Sequence, residues 1–173
     1  MKKKQRILGI DPGSRSTGFG IVDTIDSKTV YVASGSVKSI EGSFVDRLHQ
    51  IYRSIEKIFD EYIPNVMVVE NIFVHKNPSS ALKLGHARSA AICASFNYKV
   101  SFAEYAPREI KQAVVGTGSA TKEQVQHMVT SLLKLNGTPS PDAADALATA
   151  ICYVNHQKFS QHIASKKVVT DLS

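Results

Sequence analysis

Short apolar runs alternate with longer segments of helical spacing along this chain. QRILGID is an apolar run that ends in a carboxylate, Asp11. PGSRSTG follows as a turn, FGIVDTI as a second strand, and KTVYVASGSVKS as a third with alternating character. Three successive strands with short connections predict an antiparallel meander. Over 43–62, Leu48, Ile51, Tyr52, Ile55, Ile58 and Phe59 share one face of an amphipathic helix, which Pro64 ends. NVMVVEN reads as a buried strand and again ends in a carboxylate, Glu70. The loop NIFVHKNPSS leads into a helix expected over 79–97, and VSFAEY is a fifth strand. Shorter helices are expected near 107–115 and 121–135, then a last helix at PDAADALATAI. From Gln157 the chain turns polar and basic, without the pattern of a fixed element. The order predicts one α/β domain over 1–156, a mixed five-stranded sheet flanked by helices, and a flexible tail over 157–173.

Composition narrows the class. The 173 residues suffice for one well-buried core, and 43% apolar with 21% charged residues is an ordinary globular profile. No apolar run approaches the ~20 residues of a membrane span. MKKKQRILGID is too short in its apolar part for a secretion signal, so the expected location is the cytoplasm. Cys93 and Cys152 each lie in an apolar helical pattern and are expected as core thiols, not as a disulfide or a zinc site. A net charge of +6 leans toward a polyanionic partner.

The candidate chemistry lies in four acids. Asp142 and Asp145 stand three apart at the head of the last helix, hence on one face, with no Lys or Arg at i±3 or i±4. Ser140 as N-cap, Pro141 in the first turn and the helix dipole account for Asp142. They do not account for Asp145, which sits among Ala144, Leu147, Ala148 and Ile151 and needs a partner there. Taken singly, Asp11 is a turn acid in DPG and Glu70 a strand-end acid in solvent. Where parallel strands are neighbours, however, their carboxyl ends form sites. If strands one and four pair, Asp11 and Glu70 converge, and a helix laid across that end adds Asp142 and Asp145. Four crowded carboxylates repel and raise one another's pKa, a conflict that hard divalent cations such as Mg2+ remove.

ILGIDPGSRSTGFGIV, VVENIFVHKNPSSALKLGHARS, VVGTGSATKEQVQHMV and PDAADALATAI resemble the RuvC family of Holliday-junction resolvases, in order and spacing, over about residues 7–154. The resemblance implies an RNase H-like fold and a junction endonuclease acting in recombination and repair. By resemblance, Asp11, Glu70, Asp142 and Asp145 bind two Mg2+ ions, for which Mn2+ is an expected substitute; Asp11, fixed by the core strand beneath it, is the expected bridging ligand. Paired symmetric cuts would then leave 5′-phosphate and 3′-hydroxyl ends. Lys111 in PREIKQ and Lys122 in GSATKEQ match family lysines beside the scissile phosphate. Phe73 matches an aromatic that stacks on an unpaired base or wedges the junction open. Arg15, Lys76, Lys83 and Arg88 are further phosphate candidates, while Asn71 and His75 depart from the family pattern beside Phe73. The expected partners are four-way junction DNA, a second copy of the chain, and the RuvA–RuvB branch-migration complex. In the helix at 79–97, Ala81, Leu82, Gly85, Ala90, Ala91, Ala94 and Ser95 spread small or apolar positions over more than one face, as packing on both a sheet and a second copy requires.

Rival readings are distinguishable. GIDPGSRSTGFG also resembles the first phosphate hairpin of sugar kinases and actin-like ATPases. Those phosphotransferases need a second similar domain, for which 173 residues leave no room, and GTGSATK only approximates a Walker motif. A junction-binding protein without activity would have lost a carboxylate, and all four are present. For an RNase H-like nuclease acting on RNA, the loop and lysine matches point instead to junction DNA.

Overall fold

The first three strands, β1 (Gln5–Asp11), β2 (Ser16–Ile25) and β3 (Lys28–Lys38), form the expected antiparallel meander. Helix α1 (Phe44–Tyr62) returns the chain so that β4 (Val66–Glu70) pairs parallel with β1. After α2 (Pro78–Cys93), β5 (Ser101–Tyr105) adds parallel to β4, giving the order β3-β2-β1-β4-β5. Helices α3 (Pro107–Val115), α4 (Lys122–Leu132) and α5 (Pro141–Thr170) complete the chain. This computed structural model describes residues 4–26, 28–38, 41–72 and 77–170, with side chains as far as 163. Among the described residues no helix is long and apolar enough to cross a membrane.

Local chemistry sets the helix limits. Ser43 caps α1 through a reciprocal box with Asp46, and Ile63 closes it in a left-handed conformation just before Pro64. Asn77 caps α2 ahead of Pro78, one residue before the expected start. The expected end at 97 is not reached. The Ser95 hydroxyl and amide both donate to the Ile92 carbonyl, which tightens the backbone and stops the helix at Cys93. Helix α4 ends at Leu132, short of 135, because Lys134 takes a positive φ of 52°. From Gln157, where composition shows no pattern of a fixed element, the chain continues α5 to Thr170. No Gly or Pro follows Pro141, so a helix nucleated on the core propagates at little further cost.

Alternate strand residues face opposite ways. Ile7, Val22, Val66 and Val68 pack under α3, α4 and α5, whereas Leu8, Ile10, Ile21, Met67 and Val69 pack under α1 and α2. Asp11 continues the series 7, 9, 11 and Glu70 the series 66, 68, 70, so both carboxylates leave the sheet on the face that carries α5. On that face Gly9, Gly18 and Gly20 bare the sheet. A Cβ on Gly9 would stand 2.1 Å from the Ala146 carbonyl oxygen, one on Gly20 2.6 Å from the Leu147 amide nitrogen, and one on Gly18 2.0 Å from the Asp142 carbonyl oxygen. The facing side of α5 is correspondingly small, with Ala143, Ala146 and Ala150 buried.

At the other end of β1, Arg6 holds the buried Asp23 by two hydrogen bonds of 2.8 and 2.9 Å, and Lys4 adds a contact at 3.0 Å. Cys152 is buried as expected, but Cys93 is exposed. The stripe that α2 buries is Ala87 and Ala91, and Cys93 lies on the opposite side.

On an open strand, Gly→Ala stabilises by about 0.5–1 kcal/mol. Gly9→Ala is expected to do the reverse, destabilising by about 1–3 kcal/mol through overpacking against α5. Chemical denaturation of the two proteins checks the sign.

Candidate active site

The ends of the two central strands carry the first acids. Ile10 pairs with Val69, which brings Asp11 level with Glu70, and Asp11 itself lies across from Gly18. Because Gly18 lets the first turn of α5 touch the sheet, the helix head lands beside this pair. Ser140 caps that head: its Oγ accepts from the Ala143 amide at 3.4 Å and its carbonyl from the Ala144 amide at 2.9 Å. Asp142 is then fixed by the Ser16 hydroxyl, which donates to its Oδ2 at 2.5 Å. Asp145, without a partner along its own helix, finds one across space, since Lys122 Nζ stands 3.8 Å from its Oδ2. Lys122 remains largely exposed at the start of α4, so the contact is loose and the ammonium stays available to a ligand.

The acids are close enough to perturb one another. Burial first, then the charges of Glu70, Asp145 and Asp142, push Asp11 up to about 8, with Lys122 opposing. Burial and then Asp145 raise Glu70 to about 7, opposed by Lys111 and Lys122. Burial also raises Asp145, against the pull of Lys122 and Lys111 and with the push of Asp142. Four acids and two lysines thus form one electrostatic unit. It opens into a cleft of about 580 Å3 whose walls include Asp11, Glu70, Asn71, Leu84 and Arg108.

Among the described residues no three His, Cys, Asp or Glu side chains converge tightly enough to hold one ion in common. A hard cation of the Mg2+ type does not require such a cage. One or two carboxylates suffice when water and substrate phosphate complete its shell. An all-oxygen set of four acids, three of them raised by burial, fits divalent cations held in this open manner.

The remaining expected contacts divide. Arg15 and Lys83 are exposed, and Lys111 is half-buried and near enough for its charge to oppose the rise of Glu70 and Asp145. Arg88, also expected as a phosphate contact, is engaged within the chain. Its Nε donates to the Glu70 carbonyl at 3.3 Å and its Nη2 pairs with Glu104. An arginine so placed braces the end of β4 against β5. Phe73 and Lys76, with His75, lie outside the described residues. Three participants went unnoticed in the sequence. Ser16 orients Asp142, Gly18 admits it, and the exposed Arg108 stands on the cleft wall one helical turn before Lys111. Of these only Arg108, i,i+3 from Lys111 in PREIK, left a readable signal.

A five-stranded mixed sheet in this order, with carboxylates at the ends of its central strands and on the helix across them, defines an RNase H-like nuclease. Comparison with known proteins narrows the class. Residues 7–153 match the family described as crossover junction endodeoxyribonuclease RuvC. The chain belongs to the RuvC family, and it is a hydrolase that cuts DNA within the strand. It is 53% identical over 150 residues to the RuvC of Alkalilimnicola ehrlichii, covering 87% of this chain and 91% of that one. With the RuvC of Tolumonas auensis it shares 49% over 160 residues, 92% of each chain. The structure of Thermus thermophilus RuvC in complex with Holliday junction substrate superimposes with a TM-score of 0.83 at 30% identity, over 90% of this chain and 96% of that one. The yeast mitochondrial Holliday junction resolvase shares the fold, with a TM-score of 0.68 at 13% identity over 91% of this chain and 81% of that one.

The raised pKa values carry a sign. Between the ordinary carboxylate range and about pH 8, the folded chain holds protons that the unfolded chain has released, so stability falls as pH rises through that window. Without divalent cations, Tm is expected to decline from about pH 5 to about pH 8.5, and Asp11→Asn should flatten the decline. Added divalent cation should raise Tm more at the alkaline end, because binding displaces protons. Scanning calorimetry across pH checks this; equal slopes in the two proteins would contradict the clustering of the acids.

Proposed function

We propose that the chain resolves four-way DNA junctions by paired, symmetric phosphodiester hydrolysis, with Asp11, Glu70, Asp142 and Asp145 as ligands of two Mg2+ ions. The observation that carries this reading is the gathering of four acids and two lysines at one end of the sheet, in a chain of the RuvC family. Bound divalent cations supply a lowered water pKa and charge stabilisation at the leaving oxygen. The protein's own groups do the rest. Lys111 and Lys122 hold the scissile phosphate against the acids and offset its charge. Ser16 occupies Oδ2 of Asp142 and leaves Oδ1 as a donor. Arg108, Lys83 and Arg15 supply further phosphate contacts around the cleft, and the resemblance assigns Phe73 to an unstacked base. The resemblance assigns 5′-phosphate and 3′-hydroxyl ends to the cuts. We assign the nuclease to residues 1–156 and its place of action to the cytoplasm.

Two symmetric cuts need two sites related by a two-fold axis. The outward face of α2 supports a homodimer. Leu82 is 65% exposed, Phe96 just beyond the helix is 73% exposed, and among the described residues a Cβ on Gly85 between them would meet nothing within 4 Å. Hand-over from the RuvA–RuvB complex rests on the resemblance alone.

A synthetic four-way junction, labelled on each strand in turn, tests the activity. Paired nicks at symmetric positions are expected with Mg2+, on the junction and not on linear duplex. Asp142→Asn should abolish cutting while junction binding persists, and Lys111→Ala should slow cutting by about 100-fold. Intact cutting by Asp142→Asn would overturn the assignment. Gly85→Arg meets no described neighbour at its Cβ and removes a helix-weakening glycine. It is expected to leave Tm unchanged or higher, give monomers in sedimentation, and replace paired cuts by single nicks.

A further inference from the structure

A second concavity opens on the side of the molecule where β3 begins. A groove of about 900 Å3 runs between the beginning of β3 and the loop joining α4 to α5. Its apolar walls include Val30, Tyr31, Leu132 and Leu135, with Lys28 and Lys134 as its charged residues. The strand register separates it from the active site. Asp11 lies level with Gly18 and Ser36, whereas Tyr31 lies level with Val22 and Ile7. Four residues along β1 is about 13 Å.

Three features of this groove belong together. First, β3 is the outermost strand, so one row of its backbone donors and acceptors faces away from β2. Thr29, Val30 and Tyr31 all line the groove although successive residues point to opposite faces, so the groove opens around the free edge itself. Second, large apolar side chains stay exposed there: Val30 at 45%, Tyr31 at 37% and Leu132 at 47%. Third, the lining contains two lysines and no acid. Lys134 is held at the rim by a left-handed backbone, φ 52°, at a position after a helix where glycine is usual.

Lysines at a sheet edge commonly serve only to prevent strand addition. Here they flank an apolar trough, the arrangement of an edge that accepts a strand with acidic flanks. DNA is a poor occupant, since the trough offers two cations and mostly hydrocarbon. A second copy is a poorer occupant, because the groove's own lining repeats its two lysines and brings no acid to them.

We propose that this edge groove docks an extended segment of a partner protein, alternating apolar and acidic residues, which pairs with β3 beside Lys28–Tyr31. The apolar residues fill the trough between Tyr31 and Leu132, and the acids meet Lys28 and Lys134. Docking there leaves the catalytic cleft open, so the partner and the DNA are held at once.

The test is a selection of random peptides, about a dozen residues long, displayed on phage against the whole chain, followed by amide NMR with the strongest binder as probe. The expected result is enrichment of alternating apolar and acidic residues, with shifts confined to 28–31 and 132–139. The double variant Lys28→Glu with Lys134→Glu should lose affinity for that peptide by about ten-fold or more, with Tm and junction cutting retained. Lys134→Gly separates docking from folding: relief of the positive φ should raise Tm while peptide affinity falls. Selection of peptides without acids, shifts elsewhere, failure to select any peptide, or undiminished binding by the double variant would overturn the proposal. So would loss of junction affinity in that variant, which would make the groove a DNA surface, or a change in its sedimentation, which would make it a contact between copies.

Discussion

The close approach of α5 to the sheet is the constraint on which the site depends. Gly9, Gly18 and Gly20 leave no Cβ on one face of β1 and β2, and α5 answers with Ala143, Ala146 and Ala150. Backbone lies almost directly on backbone along this seam. The contact fixes both the height of the helix above the sheet and its position along β1, since the carbonyls of Asp142 and Ala146 occupy the space that side chains would fill. A helix held off by ordinary side chains would carry the same two acids several ångströms from Asp11. The bare strip is therefore as much a part of the active site as the carboxylates are.

Once the helix is seated, the acids have no alternative but to face one another. The chain contains its own control in Asp23. That carboxylate is also buried on the sheet, but hydrogen bonds from Arg6 and a contact from Lys4 hold it below its ordinary range. Asp11 has acids for neighbours and is driven the other way. The same residue type on adjacent strands is a structural fastening at one end of the sheet and an unsatisfied ligand at the other. Lys111 and Lys122 only partly offset the acid cluster, which leaves a net demand for positive charge that divalent cations meet. Local instability of this kind is common at sites built for chemistry.

Charge and exposure are distributed along the sheet axis. Acids, lysines and Arg108 gather at the carboxyl ends of β1 and β4. Exposed apolar groups lie around the groove at the start of β3 and on α5 beyond the core, where Phe159 is 66% exposed, as well as on α1 and α2. The long last helix links the two regions, with its first turn in the active site and its exposed part past the start of β1.

Much of this was legible in the amino-acid order. Apolar runs ending in Asp11 and Glu70, the i,i+3 pair Asp142 and Asp145, and the alternation of strand and helix each follow from periodicities of two and 3.6 residues, which are local properties of the chain. The parts that failed to show were decided at a distance. Arg88 is neutralised by Glu104 and a carbonyl on neighbouring strands, and Cys93 is turned outward by the stripe that α2 chose to bury. The tail from Gln157 looked structureless by composition, yet it continues a helix already nucleated on the core. Ser16 gave no sign of its hydrogen bond to a residue 126 positions away. The sequence by itself determined which residues carry charge, which segments become strand or helix, and the kind of chemistry four acids can support. Only the tertiary structure decided which charges meet, because pairing across space depends on sheet order and on how closely one helix can lie against glycine.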